Sequence, residues 1–122
     1  MTGGEQGLEV ETIMFWLPPR NPLRVLEIGC GTAEGLGQLL ESGRVLEFVG
    51  VDLDETAIEE ARARWPQATF LCADAARLPA SFVGRFDVVL LRRPDLLAQP
   101  QRWREVFDRL PVWLRPGGRA IV

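Results

Sequence analysis

Short apolar segments alternate with amphipathic segments along the chain from about residue 23 onward. The segment FDVVLL at 86–91 is apolar at nearly every position, which is typical of a strand buried on both faces. In the segments between such runs, apolar residues recur at helical spacing. We therefore predict strands over 23–29, 44–52, 68–74, 85–92 and 118–122. Predicted helices cover 10–17, 32–43, 54–65 and 100–110.

Local signals set the ends of these helices. Thr32 and Asp54 are predicted N-caps, because their side-chain oxygens can accept hydrogen bonds from the first free amides of a helix. Gly43 and Pro66 are predicted to end the second and third helices. Pro111 is predicted to break the fourth helix near its end.

Strands that alternate with helices at this spacing predict an α/β fold with a parallel sheet. The right-handed crossover rule gives a doubly wound, Rossmann-like sheet of order 3-2-1-4-5, with helices on both faces. The ligand crevice of such a sheet lies beyond the carboxyl ends of the first and fourth strands, where the strand order reverses. We predict an N-terminal tail with a short helix over 1–22 and one domain over 23–122.

Composition excludes several kinds of chemistry. The net charge of −3 disfavours a general nucleic-acid binder. The chain has neither Lys nor His, which excludes a P-loop lysine, a Schiff-base lysine, a histidine triad and a histidine metal site. Cys30 and Cys72 fit no metal spacing, so no metal site is predicted. With no long apolar run and an acidic N-terminus, we expect a cytoplasmic protein without membrane or nucleic-acid partners.

The stretch VLEIGCGTAEGLG, residues 25–37, places a carboxylate, Glu27, just before a glycine-rich turn. Gly29 and Gly31 lie where the first predicted strand meets a helix, and their missing Cβ lets the backbone approach a ligand. Position 34 is Glu, where the dinucleotide fingerprint G-x-G-x-x-G has glycine. A carboxylate in that place would repel a pyrophosphate, which counts against a dinucleotide.

Two further acids end the second and third predicted strands. Asp52 follows Gly31 by about 20 residues, a spacing at which a carboxylate can accept both hydroxyls of a ribose. Asp74 borders the same crevice. The structural alternatives are that both aspartates are turn or cap residues, and that Glu27 forms a hydrogen bond with loop amides.

Five segments, in this order and at this spacing, resemble the motif series of the class I S-adenosylmethionine-dependent methyltransferases. They are VLEIGCGTAEG, FVGVDLDETAIEEARAR, ATFLCADAARLP, FDVVLLR and LRPGGRAIV, and the resemblance covers residues 23–122. It implies S-adenosylmethionine as the cofactor and S-adenosylhomocysteine as the product. The cofactor-binding residues that it implies are Glu27, Gly29, Cys30, Gly31, Asp52, Leu53, Asp74, Ala75 and Leu91.

The resemblance also implies what these residues do. Glu27 and the loop glycines would line the methionine end of the cofactor. Asp52 would hold the ribose hydroxyls, with Leu53 against the adenine. Asp74, with Ala75 beside it, would accept from the adenine amino group. One departure is Ala33, which stands where the family often has a third glycine.

Residues on the acceptor side would follow the fourth strand, in LLRRPDLL. Arg93 could bind an anionic acceptor and Asp95 could act as a base or orienter, so these two are the candidate catalytic residues. The alternative is a solvated turn with a surface ion pair. The segment lacks the polar-Pro-Pro-aromatic tetrad of subclasses that methylate the amino groups of bases or of glutamine, so those acceptors are not supported. A small-molecule acceptor is expected.

The antiparallel strands that usually follow in this family have no counterpart in the sequence, which predicts a truncated domain or a minimal protein. The exposed edge of the fifth strand favours pairing with a second copy, so a homodimer is expected. The predicted function is methyl transfer. The alternatives are a non-catalytic S-adenosylmethionine-binding module or fragment and, with less support, an NAD(P)-dependent oxidoreductase.

Overall fold

The computed structural model describes residues 10–91 and 100–122 of the chain. The helices are α1 (Val10–Trp16), α2 (Leu36–Glu41), α3 (Glu55–Arg64) and α4 (Pro100–Trp113). The strands are β1 (Leu23–Ile28), β2 (Val45–Asp52), β3 (Thr69–Cys72), β4 (Phe86–Leu91) and β5 (Leu114–Ile121). Short 3₁₀ turns at Ala75–Arg77 and Ala80–Phe82 lie between β3 and β4.

The strands form one sheet in the order β3-β2-β1-β4-β5, and each neighbouring pair is parallel. This confirms the predicted doubly wound, Rossmann-like topology. On the central strand, Glu27 lies opposite Gly50 of β2 and Leu90 of β4. The carboxyl ends of β1, β2 and β3 therefore lie side by side at one edge of the sheet, next to the point where the strand order reverses.

Helices cover both faces of the sheet. Successive residues of a strand point to opposite faces, so neighbouring residues pack in different layers. Val25 and Phe48 pack in the layer that contains α1, α2 and α3. Their neighbours Leu26 and Val49 pack in the layer that contains α4 and the 3₁₀ turns. Trp113 of α4 is completely buried in that second layer.

Helix α2 begins later than the sequence predicts. It starts at Leu36 with Gly35 as its N-cap, so the prediction that Thr32 caps this helix is wrong. The reason is the backbone of Ala33, whose φ of 58° is left-handed and incompatible with a right-handed helix. The loop between β1 and α2 therefore extends to residue 35. At α3, by contrast, the predicted cap is confirmed, since Asp54 accepts from the Ala57 amide at 3.1 Å.

The end of α4 and the start of β5 also differ from the prediction. The helix continues through Pro111 to Trp113, because burial of Leu110 and Trp113 holds its last turn against the sheet and outweighs the local preference of proline. Strand β5 begins at Leu114, which pairs with Phe86 of β4. The next paired residue of β5 is Arg119, which lies opposite Val88. The segment 115–118 therefore bulges out of the ladder.

A buried carboxylate ties three segments together at the amino end of the sheet. Asp87, at the start of β4, is only 1% exposed. It accepts from the Arg24 amide at 2.8 Å and from the Arg20 guanidinium at 3.1 Å, and Arg115 of the β5 bulge lies 3.5 Å away. Asp87 thus joins the segment before β1, β1 itself and β5, and its burial is compensated by these partners.

A second carboxylate at this end is paired in the same manner. Glu47 of β2 accepts from the Arg85 guanidinium through both of its oxygens and lies 3.7 Å from Arg24. The hydrogen bonds with Glu47 raise the pKa of Arg85 above its ordinary value. The acids at the amino end of the sheet therefore have structural partners within the fold.

We expect Asp87→Ala to lower the free energy of unfolding by about 2–4 kcal/mol, because several donors lose a common buried acceptor. Urea denaturation followed by circular dichroism measures the change. Asp108→Ala, at an exposed position of α4, is the matched control and should change stability by less than about 0.5 kcal/mol. Equal effects of the two substitutions would contradict the bridging role of Asp87.

Candidate functional site

The loop between β1 and α2 is anchored to the end of β2. The amides of Gly29 and Cys30 both donate to the Val51 carbonyl, at 2.8 and 3.1 Å. Gly29 and Gly31 have φ values of 72° and 56°, which residues with a Cβ rarely adopt. The glycines that the sequence singles out are therefore required by the path of the backbone at this edge of the sheet.

Asp52, at the end of β2, holds the same loop through its side chain. One carboxylate oxygen accepts from the Gly31 amide at 2.8 Å, and the other accepts from the Asp54 amide at 2.9 Å. The structure thus brings Gly31 and Asp52 together, and it also gives Asp52 the turn role that was the structural alternative. Each carboxylate oxygen has more than one lone pair, so Asp52 can still accept from the hydroxyls of a ligand.

Asp74, beyond the end of β3, is held from two sides. One of its oxygens accepts from the Ala76 amide at 2.9 Å and from the Arg102 guanidinium of α4 at 2.8 Å. The pair with Arg102 is half-buried. Arg102 is not evident from the sequence, because nothing in an amphipathic helix shows which arginine will reach an acid 28 residues earlier in the chain.

Leu53 and Ala75 follow these two aspartates. The Leu53 side chain is 59% exposed, although the residue comes directly after a buried strand. The Cys72 thiol donates to the Leu53 carbonyl at 3.5 Å, which joins the ends of β2 and β3. Ala75 is half-buried at the start of its 3₁₀ turn. An exposed apolar side chain directly after Asp52 is suited to contact a flat, apolar ligand surface.

Glu27 is a carboxylate within the sheet, only 2% exposed. It lines a small cavity with Gly35 and Leu36, at the start of α2, and with Ile13 of α1. A carboxylate at such a position is stabilised only by donors or a positive charge. Glu27 thus lies below the end of the loop, on the side of the sheet that α1 and α2 cover.

Two residues that the family resemblance assigned to the site have side chains in the core. Cys30 is 7% exposed, and its sulfur lies 2.8 Å from where a Cβ of Gly50 would be. Because glycine has no Cβ, Gly50 leaves room for this thiol beneath the loop. Leu91 is 4% exposed and packs in the layer of α4. The side chains of Cys30 and Leu91 therefore belong to the two core layers, one on each face of the sheet.

The candidate catalytic residues Arg93 and Asp95 lie outside the described residues. Within residues 10–91 and 100–122, no group of three or more acidic, Cys or His side chains is arranged to hold a metal ion. In the same part of the chain, no helix has the length and apolar character needed to cross a membrane.

A parallel sheet of order 3-2-1-4-5, a glycine loop after β1 and acids after β2 and β3 define a Rossmann-like nucleoside-binding fold. Comparison with known proteins gives the family. Residues 25–118 match the methyltransferase domain family. The chain belongs to the class I S-adenosylmethionine-dependent methyltransferases, as the sequence motifs predict.

Named relatives agree with this assignment. The chain is 31% identical to the ubiquinone/menaquinone biosynthesis C-methyltransferase UbiE of Dinoroseobacter shibae. The match covers all of this chain and 50% of that protein. It is 32% identical to the trans-aconitate 2-methyltransferase of Rhizobium rhizogenes, over 78% of this chain and 36% of that protein. The chain thus spans about half or less of the length of these curated relatives.

A solved structure of a protein with a ligand has the same fold. PKMT2 of Rickettsia typhi, in complex with AdoHcy, superposes with a TM-score of 0.73 at 25% sequence identity. The superposition covers 84% of this chain and 21% of that protein.

Proposed function

We propose that the chain forms the cofactor-binding domain of an enzyme that transfers a methyl group from S-adenosylmethionine to a small-molecule acceptor. The observation that carries this proposal is the arrangement of Glu27, Asp52 and Asp74. Glu27 is the second-last residue of β1, Asp52 ends β2 and Asp74 follows β3. The three strands are adjacent, and Asp52 helps to hold the loop after β1. Membership of the methyltransferase family supports the choice of cofactor.

The charges of these three carboxylates fit S-adenosylmethionine. The cofactor carries an ammonium and a sulfonium and has no pyrophosphate, so acids beside the loop attract it, whereas they would repel a dinucleotide. Glu34 is exposed within the loop and adds to that preference. The negatively charged acceptors of the crevice are therefore compatible with a cationic nucleoside.

We assign the residues as follows. Glu27 compensates the ammonium group at the methionine end, where it lines the cavity at the start of α2. Asp52 accepts from the ribose hydroxyls while it holds the Gly31 amide. Leu53 packs against the adenine, and Asp74, fixed by Arg102, accepts from the adenine amino group.

When bound, the cofactor supplies an electrophilic methyl group for in-line displacement. The chain's own residues bind and orient it, and positioning of this kind accounts for much of the rate of a transfer between two bound molecules. We assign the acceptor side to the segment after β4, with Arg93 binding an anionic group and Asp95 taking a proton. Two relatives named for quinone biosynthesis and for trans-aconitate support a small-molecule acceptor.

Calorimetric titration tests the proposal directly. We expect S-adenosylmethionine and S-adenosylhomocysteine to bind the folded chain, and NADH to cause no change in a parallel fluorescence titration. Absence of binding by both cofactor forms would refute the proposal, and binding of NADH alone would favour the oxidoreductase. Binding without transfer to a broad panel of acceptors, by this chain and by a version with its natural neighbouring sequence, would favour a non-catalytic module.

We expect Asp52→Ala to weaken S-adenosylhomocysteine binding by about 1–3 kcal/mol, because ribose hydroxyls and the Gly31 amide lose their acceptor. Asp54→Ser is the matched control, since it removes a neighbouring exposed charge and retains an N-cap. Its affinity should stay within about twofold of the unsubstituted chain. If Asp52→Ala binds normally, or if Asp54→Ser loses as much, the ribose assignment is wrong.

Glu27→Gln preserves the shape of the side chain and removes its charge. We expect affinity for S-adenosylhomocysteine to fall by about tenfold, because the ammonium group loses an ionised partner in a buried site. Binding of 5′-methylthioadenosine, which lacks the amino acid portion, should be unchanged by this substitution but weakened by Asp52→Ala. A lower melting temperature with normal affinity per folded molecule would instead give Glu27 a purely structural role.

A further inference from the structure

We propose that Trp65 is a positioning residue for the glycine loop of the cofactor site, an inference that rests on the proposed function. Trp65 follows the last residue of α3 and is half-buried. Its indole Nε1 donates to the Ala33 carbonyl at 2.9 Å, across 32 residues of chain. The contact therefore connects the far end of α3 directly to the loop between β1 and α2.

The residue that receives this hydrogen bond is the one with an unfavourable backbone. Ala33 has a φ of 58° and carries a Cβ, a combination that L-residues rarely adopt. Its amide donates to the Cys30 carbonyl at 2.9 Å, and its own carbonyl also accepts from the Leu36 amide at 3.2 Å. The hydrogen bond from Trp65 adds a donor from outside the loop, which stabilises this left-handed turn.

The indole ring also fixes the beginning of α2. A Cβ on Gly37 would lie 2.9 Å from Cη2 of Trp65, which is closer than real Cβ contacts. The ring therefore lies directly against the helix backbone, and only glycine at position 37 permits that approach. Trp65 contacts the loop through its N–H and the helix through its ring.

The loop is consequently held on two sides. Asp52 holds the Gly31 amide on the side of β2, and Trp65 holds the Ala33 carbonyl on the side of α3. A loop fixed before the ligand arrives loses less conformational freedom on binding, which increases affinity without a direct contact. Trp65 thus acts on the cofactor through Ala33, and its ring packs against core residues of the layer that contains α1, α2 and α3.

Trp65→Phe tests this role, because it retains an aromatic ring against Gly37 and removes the N–H. We expect the Kd for S-adenosylhomocysteine, measured by calorimetry on folded protein, to rise by about three- to tenfold, the equivalent of one neutral hydrogen bond. Trp16→Phe, at an exposed position of α1, is the matched control and should leave the Kd unchanged.

A second substitution shows whether the effect passes through Ala33. Glycine adopts a positive φ without a steric penalty, so Ala33→Gly in the Trp65→Phe background should bring the Kd back to within about twofold of the original value. A normal Kd in Trp65→Phe overturns the inference, and so does a raised Kd that Ala33→Gly fails to restore.

Hydrogen exchange separates this inference from the proposed function. Amides of residues 29–35 should exchange faster in Trp65→Phe than in the unsubstituted chain, and Ala33→Gly should slow them again. If the unsubstituted chain binds neither cofactor form, the proposed function fails, and this exchange pattern still decides whether Trp65 holds the loop. Unchanged exchange in Trp65→Phe would overturn the positioning role in either case.

Discussion

The site depends on the attachment of the glycine loop to the end of β2. Three successive amides, from Gly29 to Gly31, donate to the Val51 carbonyl and the Asp52 carboxylate. These bonds turn the chain sharply at the end of β1 and require positive φ at both glycines. Because Asp52 is also the proposed ribose acceptor, the proposal makes one carboxylate responsible both for the conformation of the loop and for contact with the ligand.

The two ends of the sheet use their acids differently. At the amino end, Asp87 and Glu47 are joined to arginines and hold strands and turns together. At the carboxyl end, Glu27 and Asp52 lie around the loop, and Asp74 is paired with Arg102. That pair compensates the charge of Asp74. The acids at the amino end therefore serve the fold, whereas we propose that those at the carboxyl end also bind the cofactor.

Much of the fold follows from the sequence, because apolar periodicity and strand–helix alternation are dictated by burial on two faces. The same rules place Gly31 and Asp52 at one edge, where the structure shows them in contact.

What the sequence does not show depends on contacts between distant residues. The late start of α2 comes from the φ of Ala33, the continuation of α4 through Pro111 comes from burial of Trp113, and the Asp74–Arg102 pair comes from how α4 lies on the sheet.

The loop's departure from the family pattern is explained by the same kind of distant contact. Ala33 stands where the family often has a third glycine, yet its backbone retains a conformation that favours glycine. The indole N–H of Trp65 supplies a hydrogen bond at that residue, and Gly37 makes room for the ring. Ala33, Trp65 and Gly37 are therefore one structural unit in which a tryptophan after α3 and a glycine within α2 together compensate for a methyl group in the loop.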